Sequence, residues 1–198
     1  RMSSYLNMGM ASPMRIAIEA YKSGTPGAKK YLNEMQTWRE LSYTFCYHYP
    51  TSYNQISGLP RWSQNTLRAH QRDARPKMKS LEQLETCKTG NELWDLMQYS
   101  LVRNGELHNN LRMGWGKALL EWSESPQEAL ERLVYLNDKY ALDGQAPPSY
   151  GGLMWCLGLF DSPKGGDRPI TGSLRTRPLS SQNKYSIQEL RRVVESLR

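Results

Sequence analysis

Apolar positions recur along this chain with a helical period, and turn residues punctuate them. Ser12-Pro13 reads as a helix start, serine as N-cap and proline just inside. Residues 14–22 then run amphipathically until Gly24-Thr25-Pro26-Gly27. A second helix is expected from Ala28 to about Tyr47, ending before Pro50. Residues 50–62 carry Pro, Gly, Ser and Asn and read as loop. Ser63 to Arg72 reads as a short basic helix. Ser80-Leu81-Glu82-Gln83 has the form of a capping box. Asn91 to Arg103 is helical and stopped by Asn104-Gly105. Glu106 to Trp122 follows, then a helix from Ser125-Pro126 to about Tyr140. Residues 143–152 hold Gly144, Pro147, Pro148, Gly151 and Gly152 and read as a long loop. Residues 153–160 read as a short buried helix, 162–183 as an irregular basic region, and Ile187 to Arg198 as a last amphipathic helix. No stretch alternates strictly enough for a sheet, and no strand–glycine-turn–helix dinucleotide unit is visible. The expected fold class is all-α, with one helical domain over residues 1–198.

Composition adds a direction. The 198 residues suffice for one sizeable core. Of the aromatics, 12 are Tyr and 6 are Trp against 2 Phe, a mixture suited to half-wet pockets. The net charge of +7 favours an anionic partner such as nucleic acid, a phosphate-bearing cofactor or an acidic protein. Cys46, Cys87 and Cys156 have neither metal-ligand nor redox spacing, so a cytoplasmic or other reducing intracellular compartment is expected. His48, His70 and His108 share no ligand spacing, so no metal is expected. No apolar run is long enough for a signal peptide or a membrane span.

Four groups of residues carry candidate chemistry. Trp94, Trp115 and Trp122 are spaced by 21 and 7 residues, and seven residues is about two helical turns. Three converging indoles make either a large apolar core or an electron path. Arg112, set among Leu111, Met113 and Trp115, is expected to be partly buried and to need an anion. Asp143 is the candidate partner, in a structural salt bridge or at a ligand. Glu34 and Trp38, one turn apart, lie side by side and offer a nucleobase a carboxylate and a stacking surface; a surface Glu beside a core Trp is the plainer alternative. Arg61, Arg68, Arg72, Arg75, Lys77 and Lys79, with Arg168, Arg175 and Arg177, form either solvated faces or an electropositive rim.

Together these segments resemble the FAD-binding helical domain of the DNA photolyase and cryptochrome family, and within it the class II cyclobutane-pyrimidine-dimer photolyases. Residues from Met2-Ser3-Ser4-Tyr5-Leu6-Asn7 to Ser12-Pro13 resemble the family's leucine-serine-proline-tyrosine-leucine opening. Trp38-Arg39-Glu40-Leu41 resembles its tryptophan-arginine-glutamate segment, and Leu107 to Trp122 its arginine-methionine-x-tryptophan helix. Tyr135 to Gly144 is similar to the class II tyrosine-leucine-asparagine-aspartate block. The resemblance implies FAD as cofactor, held by Ser3, Arg39, Asn109, Arg112, Asp143 and Ser149. It implies an electron relay through Trp115, Trp94 and Trp122, and a dimer in DNA contacted by Glu34 and Trp38. It also implies an N-terminal antenna domain, which this sequence lacks, so no antenna chromophore is expected.

Two departures stand out. Ala146, Pro148 and Ser149 occupy the places where the family's aspartate and flavin-facing asparagine are expected, so the loop offers no amide. The segment Ser162 to Asp167 contains no tryptophan to wedge into damaged DNA. The expected activity is light-driven electron transfer with repair of pyrimidine dimers; the alternative is a cryptochrome-like light or redox sensor or interaction module without repair.

Overall fold

The computed structural model describes residues 2–179 and 187–196. Among the described residues ten α-helices follow in order: α1 Ser3–Asn7, α2 Pro13–Ser23, α3 Pro26–His48, α4 Arg61–Ala69, α5 Leu81–Glu85, α6 Glu92–Asn104, α7 Asn109–Trp122, α8 Pro126–Tyr140, α9 Pro147–Cys156 and α10 Ile187–Glu195. No strand occurs among the described residues, so the fold is all-α as expected. Nor is any described helix long and apolar enough to cross a membrane.

Several boundaries follow local chemistry. The Ser12 hydroxyl caps α2 by accepting from Arg15 N, and Gly24 ends it in the left-handed region. Ser80 and Gln83 form both halves of the capping box on α5. Asn91 caps α6 through Trp94 N, and Gly105 closes it at positive φ.

The expected loop over 143–152 is half wrong. Helix α9 starts at Pro147, and its last residue is Cys156 rather than 160. Proline in the first turn loses no helical hydrogen bond and arrives with φ preset, so Pro147-Pro148 starts a helix here. Gly151 and Gly152 lie inside it; the absent side chain of Gly151 lets α3 approach, while Gly152 faces Met113 of α7 at ordinary contact distance. A Cβ on Gly151 would collide with Ser42 Oγ of α3. Past Cys156 the chain turns through Gly158 and Phe160, both at positive φ.

The helix expected from Glu106 begins three residues later, with His108 as its cap. Residues 105 and 106 are engaged elsewhere: Gly105 O accepts from Leu142 N, and Glu106 O accepts from the Ser100 hydroxyl. The basic helix starts at Arg61, inside the expected loop, and ends at Ala69. The irregular region is described to residue 179; residues 180–183 and 197–198, which fall within the expected last two segments, lie outside the described residues.

The core is built by α6, α7, α8 and α9. Helix α7 buries ten of its residues, from Leu111 through Trp122. Helix α3 lies along α9, and α2 packs on α3. Neither α1 nor α2 buries a single residue.

Candidate functional site

Helix α7 carries two parts of the site, one turn apart. Arg112 in its first turns is buried, and its Nη1 donates to Asp143 Oδ1 at 2.7 Å. Asp143 stands just after α8, on a bend held from several sides. Asn7 Nδ2 donates to the carbonyls of Leu142 and Gly144 at 3.0 and 3.1 Å. Gly144 itself lies against the carbonyls of Ala141 and Asn137, where a Cβ would come within 3.0 Å of both. The bend therefore fixes Asp143 against the end of α8, and only glycine fits after it.

The three indoles form one contiguous stack. Trp94 and Trp115 are nearly parallel at 6.1 Å between centroids, and Trp94 meets Trp122 edge-on at 5.4 Å. Trp94 thus sits between the two residues of α7. Its Nε1 donates to Trp115 O at 3.0 Å, and Trp115 Nε1 donates to Gln98 Oε1 at 3.0 Å. Burying these indoles with their N–H groups satisfied is a large apolar gain, to which each aromatic pair adds about 1 kcal/mol. Exposure rises from 0% at Trp115 and Trp94 to 6% at Trp122, so the stack runs from beside Arg112 toward the surface.

Glu34 and Trp38 do meet on α3. Trp38 Nε1 donates to Glu34 Oε2 at 3.0 Å, and the ring lies 6.4 Å from Phe160. Both residues are exposed, which leaves Glu34 Oε1 and one indole face for a ligand. Arg39, on the same helix, bonds the Tyr43 hydroxyl at 3.1 Å and lies over its ring.

The remaining expected site residues are scattered. Ser3 is the exposed first residue of α1, and it is Ser4 that reaches across to Glu106 Oε1 at 2.9 Å. Asn109 is exposed at the start of α7. Ser149 is buried at the start of α9, where its hydroxyl accepts from Asn137 Nδ2 at 2.9 Å.

Asn137 is the residue that sequence reasoning passed over. It stands inside the tyrosine-leucine-asparagine-aspartate block and is fully buried. Its Nδ2 is shared by Ser149 and Asp138, while Oδ1 is buried with no partner. Arg112 Nε is buried and unpartnered as well. An unpaired buried donor and an unpaired buried acceptor each cost roughly 1–3 kcal/mol and are the pattern left when a polar ligand completes a site. The expectation that no amide is offered is therefore corrected. The loop 146–149 has none, but α8 supplies one from the other side of Ser149. A polar residue on the buried face of α8 was the available signal.

No family model matches the chain. Among curated proteins, it is similar to one named deoxyribodipyrimidine photo-lyase from Oryza sativa, 40% identical over 178 residues, which is 88% of this chain and 35% of that protein. A protein of the same name from Methanothermobacter thermautotrophicus is 40% identical over 174 residues, 88% of this chain and 38% of that protein. A third, from Potorous tridactylus, is 36% identical over 197 residues, 98% of this chain and 37% of that protein.

Most of this chain is thus similar to one part of proteins named photo-lyase. It spans little more than a third of the length of these relatives. The edge of an isoalloxazine carries both hydrogen-bond acceptors and an N–H, and the chain offers it a donor in Arg112 Nε, which shares its guanidinium with the bond to Asp143, and an acceptor in Asn137 Oδ1.

Proposed function

We propose that this chain is the cofactor-binding part of a class II photolyase-type flavoprotein that holds FAD and repairs cyclobutane pyrimidine dimers in DNA. The observation that carries the reading is the indole stack starting one turn along α7 from Arg112, the residue whose Nε awaits an acceptor. Bound FAD supplies the light absorption and the one-electron chemistry. The protein's residues do the rest. Arg112 and Asp143 hold the polar edge of the cofactor, with charge balanced inside a low-dielectric site. Asn137, oriented by Ser149, offers its amide oxygen. Electron transfer falls steeply with distance, so near-contact indoles pass an electron inward from Trp122 through Trp94 to Trp115 in short steps.

Glu34 and Trp38 give the dimer a place: the indole stacks on a base and the free carboxylate oxygen accepts from a ring N–H. The exposed Arg61, Arg68 and Arg72 supply phosphate contacts. The relatives' printed name supports the substrate.

The test has two stages. Purified protein mixed with FAD gains visible flavin absorbance, and Asp143→Ala loses it. With a thiol reductant in solution to return the electron that Trp122 gives up, blue light then bleaches that absorbance in the wild type and much more slowly in Trp115→Phe. Dimer-bearing oligonucleotide incubated with the illuminated protein regains its pyrimidine absorbance. A protein that takes up no flavin overturns the reading at the first stage.

A second reading, a light or redox sensor without repair, is favoured by the segment from Ser162 to Asp167. It carries no tryptophan, and its neighbour Asp161 is committed to Arg175 at 2.8 Å and Lys164 at 3.2 Å. Flavin that photoreduces while dimers stay intact selects this second reading.

A further inference from the structure

Along the C-terminal half of α7 lies a half-enclosed cavity of about 780 Å³, lined also by residues 76–79, the turn before α6 and residues between 168 and 179. It includes none of Arg112, Asp143 or Asn137. Lys77, Lys79, Lys117, Arg168, Arg175 and Arg177 line it, against the single carboxylate of Glu121.

Few of these cations are neutralised. Arg175 is paired with Asp161. Lys77 stands 3.9 Å from Glu121, at the limit of an ion pair. Lys117 donates only to the Cys156 carbonyl and lies over the Trp155 ring. Arg168 reaches the carbonyls of Leu174 and Gly165. Arg177 bonds Asn110 Oδ1, and its buried Nε has no partner. Burial pulls the Lys117 ammonium below the usual lysine range, and Arg175 and Arg177 press the same way against Asp161.

Lys77 and Arg175 are exposed, but Lys117 and Arg177 are half-buried with no carboxylate bonded to them, an arrangement that an anion would complete. Trp122, buried to 6% exposure, also lines the cavity beside the charges. The volume lies within the range of small-ligand sites and is too small to admit a nucleic-acid duplex.

We propose that this cavity binds a phosphate-bearing molecule of nucleotide size, its phosphate among the lysines and arginines and its ring against Trp122. The site is separate from the flavin site and does not depend on it.

The test uses the 198-residue chain without flavin, titrated calorimetrically with inorganic pyrophosphate, uridine monophosphate and uridine. Pyrophosphate and the monophosphate are expected to bind, and uridine at least about tenfold more weakly. Arg177→Gln and Lys79→Gln should each weaken the monophosphate by about fivefold or more, with melting curves confirming that both variants fold. Lys29→Gln, on exposed α3 surface, should leave it unchanged. Trp122 emission should respond to the monophosphate more than to pyrophosphate. The proposal is overturned if neither phosphate saturates the protein, or if uridine binds as well as its monophosphate. It is equally overturned if both glutamine variants bind normally, if FAD displaces the monophosphate competitively, or if plain duplex DNA displaces it at equal affinity.

Discussion

The first three helices and the four-helix core answer to different rules. Helices α1 and α2 bury nothing, and α3 buries only Ala28, Ser42 and Phe45. Met8, Met10, Met14, Ile18 and Tyr21 all face solvent there. In α7, by contrast, ten of fourteen residues are buried and two tryptophans stack through a third. Both regions are helical because both carry helical periodicity and caps. Only the second has neighbours on enough sides to turn apolar residues into stability. Periodicity makes a helix, but enclosure by other elements makes a core.

The largest expected effect lies in the indole stack. Trp115→Ala should cost about 3–5 kcal/mol, through lost burial and the cavity left between α6 and α7. Urea unfolding measures it, and a cost no greater than that of a change in α2 would erase the contrast between the regions. Gly151→Ala tests the seam where the two meet. The new methyl must displace the Ser42 hydroxyl, which is bonded to Trp38 O at 2.6 Å. A loss of about 1–3 kcal/mol is expected by the same measurement. A neutral result would show that α3 yields freely, making the seam part of the loose region.

A smaller effect, with a pH signature, concerns the contact between α4 and the segment around Asp167. Both ring nitrogens of His70 face carboxylates, Asp73 at 2.7 Å and Asp167 at 2.8 Å. The bond to Asp73, then that to Asp167, raises the His70 pKa above its ordinary 6.5. The Ile170 N–H, then His70, lowers that of Asp73 below 3.8. The His70 contribution is complete below pH 6.5 and is lost as pH rises through its raised folded value. That of Asp73 is complete above 3.8 and is lost as pH falls through its lowered one. The cluster is therefore strongest between these two ordinary values. His70→Gln should lower the melting temperature by about 2 °C or less there and by less at alkaline pH. A difference that grows with pH would contradict the imidazolium arrangement. The smallest effect belongs to α2: Tyr21→Ser, at a strongly exposed position, should stay within about 0.5 kcal/mol in the same unfolding assay.

Much of the architecture was legible because it depends on near neighbours. Ser12, Ser80 and Asn91 bond backbone three residues ahead, and Gly24 and Gly105 adopt the φ that only glycine takes cheaply. Arg112 needed an anion whatever the fold, and Asp143 meets it. The start of α9 was misread because Pro and Gly signal both loops and helix starts. The choice fell to α3 and α7, which pack on Gly151 and Gly152. Asn137 escaped notice because its polarity matters only once α8 and α9 enclose it.

By itself, then, the chain's order of residues determined an all-α fold, its caps, the helix that carries Trp115 and Trp122, and the family signature. These rest on local hydrogen bonds and on a period of 3.6 residues. Only the tertiary structure decided that Trp94 stands between the other two indoles, that Asn137 and Arg112 each keep a buried atom without a partner, and that six cations from separate segments line one cavity. Those outcomes depend on distances between residues far apart in the chain, which long-range packing alone sets.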